Sequence, residues 1–189
     1  MAVSKTWDVE AILPLIAAGQ RSFGENRVAE AQEKWPQLQA ATPGLRLHLV
    51  GQLQSNKAIE AVTLFDIIHS VDRMSLVSAL SKAMKTLDKW PDCFIQVNIG
   101  DEPQKGGCAI ADVPTLIAAA SAAGLPVVGL MCVPPADTEA APFFALLQKI
   151  GREQGLDQLS MGMSGDFETA VMLGATVVRV GSALFGGRH

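Results

Sequence analysis

Lys5 closes a short apolar opening, MAVSK, and carries the first side-chain amine in the sequence. A solvated ammonium does no such chemistry. Burial against apolar walls disfavours the charged form and leaves an amine able to attack a carbonyl carbon. The plain alternative is a solvated lysine at the end of an edge strand. Far along the chain, LSMGMSGDFETA sets Met163, Ser164, Gly165 and Asp166 between a short apolar run and a helical pattern, and VVRVGSALFGG sets Arg179, Gly181 and Ser182 at the end of another. Glycine lets backbone N–H groups come close to an anion and serine adds a hydroxyl donor, so each pair suits a phosphate. Either pair alone is also an ordinary turn or helix cap. Arg179 lies in an apolar run, where an unpartnered guanidinium is costly, so it requires either a structural carboxylate or a ligand group such as a ring nitrogen.

These groups converge only if the elements carrying them share an edge. Short β-branched or apolar runs at residues 1–4, 22–24, 47–50, 67–71, 93–98, 127–131, 158–160 and 177–180 alternate with helical patterns at 9–18, 27–35, 58–64, 74–85, 113–123, 138–154 and 167–173. Gly19, Gly124, Gly155 and Gly174 each follow a helical stretch, where a left-handed residue ends a helix, and Asp112 and Asp166 are expected as N-caps. Eight strands with a helix after most of them predict a (β/α)8 barrel, with a doubly wound sheet as the other arrangement of the same pattern. In a barrel the strands' C-terminal ends form one rim. That rim receives Lys5, Glu25 and Asn26, Gly51 to Asn56, His69 and Asp72, Asn98, and the two Gly-Ser stretches. An amine for an aldehyde, a phosphate cradle on the last two βα units and a cation for a ring nitrogen together suggest pyridoxal 5'-phosphate.

The composition narrows the remaining classes. With 189 residues, 49% hydrophobic and 18% charged, the chain is expected to bury one core as a single domain over residues 1–189. Its formal charge of −4 supplies no basic surplus for nucleic acid or an anionic membrane. Cys93, Cys108 and Cys132 are odd in number and lack CxxC spacing, so reduced cytoplasmic thiols are expected and neither a disulfide framework nor a zinc site. No run reaches the ~18 apolar residues of a membrane span.

The motifs AVSKT, FGENRV, HLVGQLQSNK, IHSVD, QVNIGDEPQKGG, GLMCVPP, LSMGMSGDFETA and VRVGSALFG, in that order, resemble the pyridoxal phosphate homeostasis proteins, single-domain relatives of the alanine racemase N-terminal barrel. The resemblance spans essentially the whole chain. It implies that Lys5 carries the cofactor as a Schiff base, that Ser164, Gly181 and Ser182 bind its phosphate beside Met163, and that Arg179 faces the pyridine nitrogen. A cation there disfavours ring protonation and weakens the electron sink. Asn26 would line the cofactor. Lys105, in DEPQKGG, would assist cofactor transfer, with a solvated loop lysine as the equal alternative. The family carries a further helix before the AVSK strand, whereas this sequence opens at the strand, so uncovered apolar surface is expected.

The resemblance implies a cofactor carrier; a monomer is the default expectation, and the cysteine pattern suggests the cytoplasm. The carrier would hold and supply the cofactor for vitamin B6 homeostasis, with dependent enzymes as transient acceptors and little or no catalysis. A racemase needs a second acid/base opposite the lysine, a tyrosine in alanine racemase, and this sequence has no tyrosine. Cys132, His69, His48 and the terminal His189 are the substitutes to weigh. An amino acid racemase or decarboxylase of the same fold is the competing reading, and a phosphate-binding isomerase or aldolase using Lys5 is a more distant one.

Overall fold

The computed structural model describes residues 1–186; residues 187–189, among them His189, lie outside the described part. Eight parallel strands, β1 (Ala2–Val3), β2 (Ser22–Glu25), β3 (Arg46–Leu49), β4 (Ile67–Val71), β5 (Asp92–Val97), β6 (Val127–Cys132), β7 (Gln158–Met163) and β8 (Val177–Arg179), pair in sequence order. A parallel bridge between Ala2 and Val180 joins the first strand to the end of the last. Val3 N–H donates to Val180 O at 2.8 Å and Val180 N–H to Met1 O at 3.1 Å. The sheet is therefore a closed (β/α)8 barrel rather than a doubly wound sheet.

Helices α1 (Val9–Ala17), α2 (Val28–Ala41), α3 (Ala58–Leu64), α4 (Met74–Leu87), α5 (Val113–Ala122), α6 (Ala141–Glu153), α7 (Phe167–Met172) and α8 (Ser182–Phe185) follow the strands in turn. The main core lies between barrel and helices. Strand residues with outward side chains, such as Phe23, Leu47, Leu49, Ile68, Ile95 and Leu130, pack on helix residues including Trp35, Leu76, Leu80, Leu116 and Phe144. Inside the barrel, Ile67, Phe94 and Met131 form a second, smaller apolar cluster. The period-two alternation of each strand separates the two clusters, Ile67 from Ile68 and Phe94 from Ile95.

The predicted glycine stops hold: Gly19, Gly124, Gly155 and Gly174 all have positive φ. The predicted caps hold in position but not in bonding. Asp112 and Asp166 occupy the N-cap positions of α5 and α7 without a side-chain cap bond, and Asp166 Oδ1 instead accepts from Met163 N–H in its own loop. The capping carboxylate is Asp8, which accepts from Ala11 N–H at 3.0 Å at the start of α1. The pattern also ends the second helix too early. The helix continues through Pro36, which is exposed, so the backbone carbonyl deprived of its partner can be hydrated. No helix of the described residues is long and apolar enough to cross a membrane. Cys93, Cys108 and Cys132 are free and buried.

Candidate functional site

The C-terminal rim opens into a cavity of about 460 Å³ lined by Val3, Lys5, Trp7, Asn26, Val50, Val133, Met163, Ser164, Gly165, Arg179, Gly181, Ser182 and Gly186. All seven residues expected to touch a cofactor, Lys5, Asn26, Met163, Ser164, Arg179, Gly181 and Ser182, lie on this one wall. It straddles the seam where β1 meets β8, so the sequence's two ends supply most of it. The sequence reading missed Trp7, Val50 and Val133. Trp7 stacks on Phe185 of α8, with ring centroids 5.5 Å apart and planes 19° apart, and links the Lys5 loop to the opposite side of the seam.

At the serine end, backbone N–H groups of Gly181 and Ala183 both donate to Ser164 Oγ, at 3.2 and 3.3 Å. Two amides aimed at one oxygen, with the Ser164 and Ser182 hydroxyls lining the same cavity, make a donor set suited to an oxyanion. A Cβ on Gly181 would sit 3.3 Å from Val3 O, so a larger residue would press on the seam. Gly51 carries a stricter demand: its Cβ would fall 2.1 Å from Asn26 O, and only glycine lets the β3 loop pass behind Asn26.

Arg179 is buried beneath the cavity. Its Nη1 donates to Ser160 O at 2.8 Å and Ser160 Oγ at 3.0 Å, and its Nη2 donates to Cys132 O at 2.8 Å. Among the described residues these acceptors are all neutral, so the structural carboxylate envisaged as one possible partner is not the one found. Burial lowers the Arg179 pKa from its usual value. The three bonds occupy at most three of five guanidinium donors.

Behind Ser160 a hydrogen-bonded chain crosses the barrel. Ser160 Oγ meets His69 Nδ1 at 2.9 Å, His69 Nε2 meets His48 Nδ1 at 2.9 Å, and His48 Nε2 meets Ser22 Oγ at 2.9 Å. Burial, then the amino terminus and Arg46, lower the His48 pKa to about 3. Burial, then His48 and Arg179, take His69 well below its usual value. Both rings are therefore neutral at pH 7. A single assignment satisfies every member: Arg179 donates to Ser160 Oγ, the Ser160 hydroxyl to His69 Nδ1, His69 Nε2–H to His48 Nδ1, and His48 Nε2–H to Ser22 Oγ. His69, expected on the rim, is instead fully buried in the barrel and stacked on Phe94 at 4.4 Å. Cys132 has no exposed surface, and burial pushes its thiol up to about 12.

Lys105 does not line the cavity. It pairs with Glu102 at 2.6 Å and donates to Pro134 O at 2.8 Å, one residue from the lining Val133. Glu25 is also away from the rim; it is a fully buried carboxylate behind the Lys5 loop. Among the described residues no cluster of His, Cys, Asp and Glu has the arrangement to hold a metal ion.

The family model described as the N-terminal domain of alanine racemase matches residues 1–189. A pyridoxal phosphate homeostasis protein of Escherichia coli K12 is 37% identical over 198 aligned positions, which take in 100% of this chain and 85% of that protein. The protein of the same name from Pseudomonas aeruginosa is 40% identical over 194, covering 100% and 84%. Two structures of PipY from Synechococcus elongatus PCC7942 superpose closely, each covering 98% of this chain and 91% of theirs. The form without PLP has a TM-score of 0.93 at 41% identity, and the form with PLP bound 0.90 at 39%. Alanine racemase of Clostridium difficile 630, at 14% identity and a TM-score of 0.77, shares the fold.

Proposed function

Since the chain belongs to the pyridoxal phosphate homeostasis protein family, we propose that it binds pyridoxal 5'-phosphate as a Schiff base on Lys5 and holds it for release to dependent enzymes, without catalytic turnover. The observation that carries this reading is the convergence of Lys5, the Ser164–Gly181–Ser182 donor set and Arg179 on one cavity of about 460 Å³. A homeostasis role and a PLP-bound relative of the same fold support it.

The residues present fit the group. Lys5 supplies the amine. The Ser164 and Ser182 hydroxyls and the backbone amides of Gly181 and Ala183 would hold the phosphate. Arg179 uses its remaining donors on the ring nitrogen. A guanidinium has no proton-accepting atom, so it holds that nitrogen unprotonated. Asn26 and Met163 line the sides. The bound cofactor supplies an electrophilic aldehyde carbon and an electron-withdrawing ring. With the ring nitrogen unprotonated, that withdrawal is weak, which favours storage over carbanion chemistry.

The groups weighed as a second acid/base support the same conclusion. His48 and His69 are buried and neutral, each already bonded on both ring nitrogens, and the Cys132 thiol stays protonated at pH 7. Buried, unpaired cysteines agree with a reducing cytoplasm.

The test is an absorption spectrum of wild type and Lys5→Ala after loading with pyridoxal 5'-phosphate and removing the excess, followed by an amino acid turnover assay. A band at ~420 nm that requires Lys5, without turnover, is the expected result. Turnover at enzymatic rates would replace the carrier with a racemase or decarboxylase. The absence of any band in a folded wild type would overturn cofactor attachment altogether.

A further inference from the structure

We propose that Lys34, Glu25 and Glu30 are positioning residues that hold the Lys5 backbone in a strained turn aimed at the cavity, so that the amine meets its aldehyde in one fixed geometry. The proposal rests on the Lys5 attachment above and deepens it. Lys5 lies in the loop between β1 and α1. Lys34 Nζ, on α2, reaches under that loop and donates to Ser4 O and to Trp7 O, both at 3.1 Å, so one ammonium ties the chain on both sides of Lys5. The same ammonium pairs with Glu25 Oε1 and Glu30 Oε1, each at 2.8 Å. Ser4 Oγ and Trp35 Nε1 also converge on Glu25 Oε1, at 2.8 and 3.0 Å. Glu30 Oε1 accepts the backbone N–H of Thr6.

Thr6, immediately after Lys5, has φ of +67°. A β-branched residue does not adopt this left-handed conformation unless its surroundings impose it. Here the imposing groups are identifiable: Glu30 holds the Thr6 amide, and Lys34 holds the carbonyls of Ser4 and Trp7. A second observation points the same way. Glu25 is fully buried, yet its Oε2 has no hydrogen-bond partner, a cost that a merely structural side chain at this position would avoid. The other Glu25 oxygen anchors Lys34 and Ser4. If the tie is cut, Thr6 relaxes to ordinary negative φ and swings the Lys5 stem away from its line of approach. Misplacement by about an ångström costs up to ~100-fold in such a reaction.

The decisive variants are Lys34→Met and Lys34→Met combined with Thr6→Gly. Two rates are measured at Lys5 by mass spectrometry. One is condensation with pyridoxal 5'-phosphate, in which Nζ bonds to the aldehyde carbon and the oxygen leaves as water with both amine protons, followed by borohydride trapping. The other is reductive methylation by formaldehyde with cyanoborohydride as hydride donor, which needs no cofactor site. Binding of 4-deoxypyridoxine 5'-phosphate, which lacks the aldehyde, reports the phosphate end separately. We expect Lys34→Met to slow condensation roughly tenfold with deoxypyridoxine phosphate affinity unchanged, and Thr6→Gly to restore most of the rate, because glycine keeps the left-handed turn without the tie. Formaldehyde labelling at Lys5 is expected to change with Lys34→Met and to return with Thr6→Gly.

An unchanged condensation rate, a parallel loss of condensation and phosphate-end affinity, or no rescue by Thr6→Gly would each overturn the positioning role. If wild type gives no cofactor adduct at Lys5 but its formaldehyde labelling still depends on Lys34, the cofactor reading fails and the tie stands. Should Lys34→Met not fold, Glu30→Ala, at a quarter-exposed side chain, removes the Thr6 tie and one of the two carboxylates on Lys34 while leaving Lys34 on Glu25, Ser4 O and Trp7 O, and is expected to give the same pattern at smaller amplitude.

Discussion

Lowering the pH should unfold this barrel from the inside, through His48 and His69. His48 is buried with a pKa near 3, and His69 also lies well below its ordinary value. In the unfolded chain both return to about 6.5. A histidine whose folded pKa is depressed contributes stability that is fully present above the unfolded pKa and is lost as pH falls toward the folded one. For His48 the window is therefore pH 6.5 down to about 3. Between pH 7 and pH 5 the linkage relation gives a loss of about 2 kcal/mol for His48, and His69 adds a loss of the same sign. The amino terminus of Met1, whose pKa is lowered by burial and by Arg179, adds a loss of the same sign. Comparison with a variant cancels that addition. Urea denaturation at the two pH values, on wild type and on His48→Gln with His69→Gln, measures the difference; His48→Gln alone should remove about 2 kcal/mol of it. Equal pH dependence in wild type and both variants would refute the neutral-pair assignment and with it the direction of the chain that ends on Arg179.

The three thiols provide a second check. Burial pushes Cys93 and Cys132 up to about 12 and Cys108 up to about 11, so a chromogenic disulfide reagent at pH 8 should leave the native protein unlabelled over minutes and label three thiols per chain in urea. Gly51→Ala should cost about 1–3 kcal/mol by urea denaturation, because its Cβ would meet Asn26 O at 2.1 Å, and it should weaken cofactor binding by displacing Asn26. Arg179→Lys should destabilise the apo-protein by about 2 kcal/mol, since one ammonium cannot span the oxygens of Ser160 and Cys132 that the guanidinium fork reaches together.

What the sequence discloses about this fold follows from which forces are local. The alternation of strand and helix is written in short-range pattern, and Ile67–Val71 and Ala58–Leu64 coincide with the ranges read from it. Glycine stops are equally local, because a positive φ is a property of one residue. The extension of α2 past Pro36 is different in kind: burial of Trp35 and Leu38 on the barrel outweighs the lost backbone bond, and burial is a tertiary fact. The seven expected residues among those lining the cavity were legible because they sit at or just past strand ends, which barrel closure brings together. The Lys34 tie and the histidine chain were not, since nothing in QEKWP or RLHLV marks a lysine that reaches under another strand's loop or an imidazole that points into a barrel. A rim position for His69 was wrong for a related reason: the side chain sits mid-strand, and its neighbours across the barrel decide its depth.

The cavity's place on the β1–β8 seam links binding to folding. Lys5 and the Thr6 turn come from the chain's beginning, while Ser164, Arg179, Gly181 and Ser182 come from its end, and the Ala2–Val180 bridge, the bonds beside it and the Trp7–Phe185 stack bring the two ends together. Contacts of such long sequence separation are the slowest to form, because the loop entropy is lost before they compensate for it. β1 contributes two residues and β8 three, so the seam has few backbone bonds of its own. A ligand bonded to both sides stabilises the closed barrel by mass action, by about 2.7 kcal/mol at a hundredfold excess over its dissociation constant. The protein that holds pyridoxal 5'-phosphate should therefore show its largest gain in hydrogen-exchange protection at the amides of Val3 and Val180. If loading protected the helices uniformly and left those two amides unchanged, the seam would not be where binding energy is converted into stability.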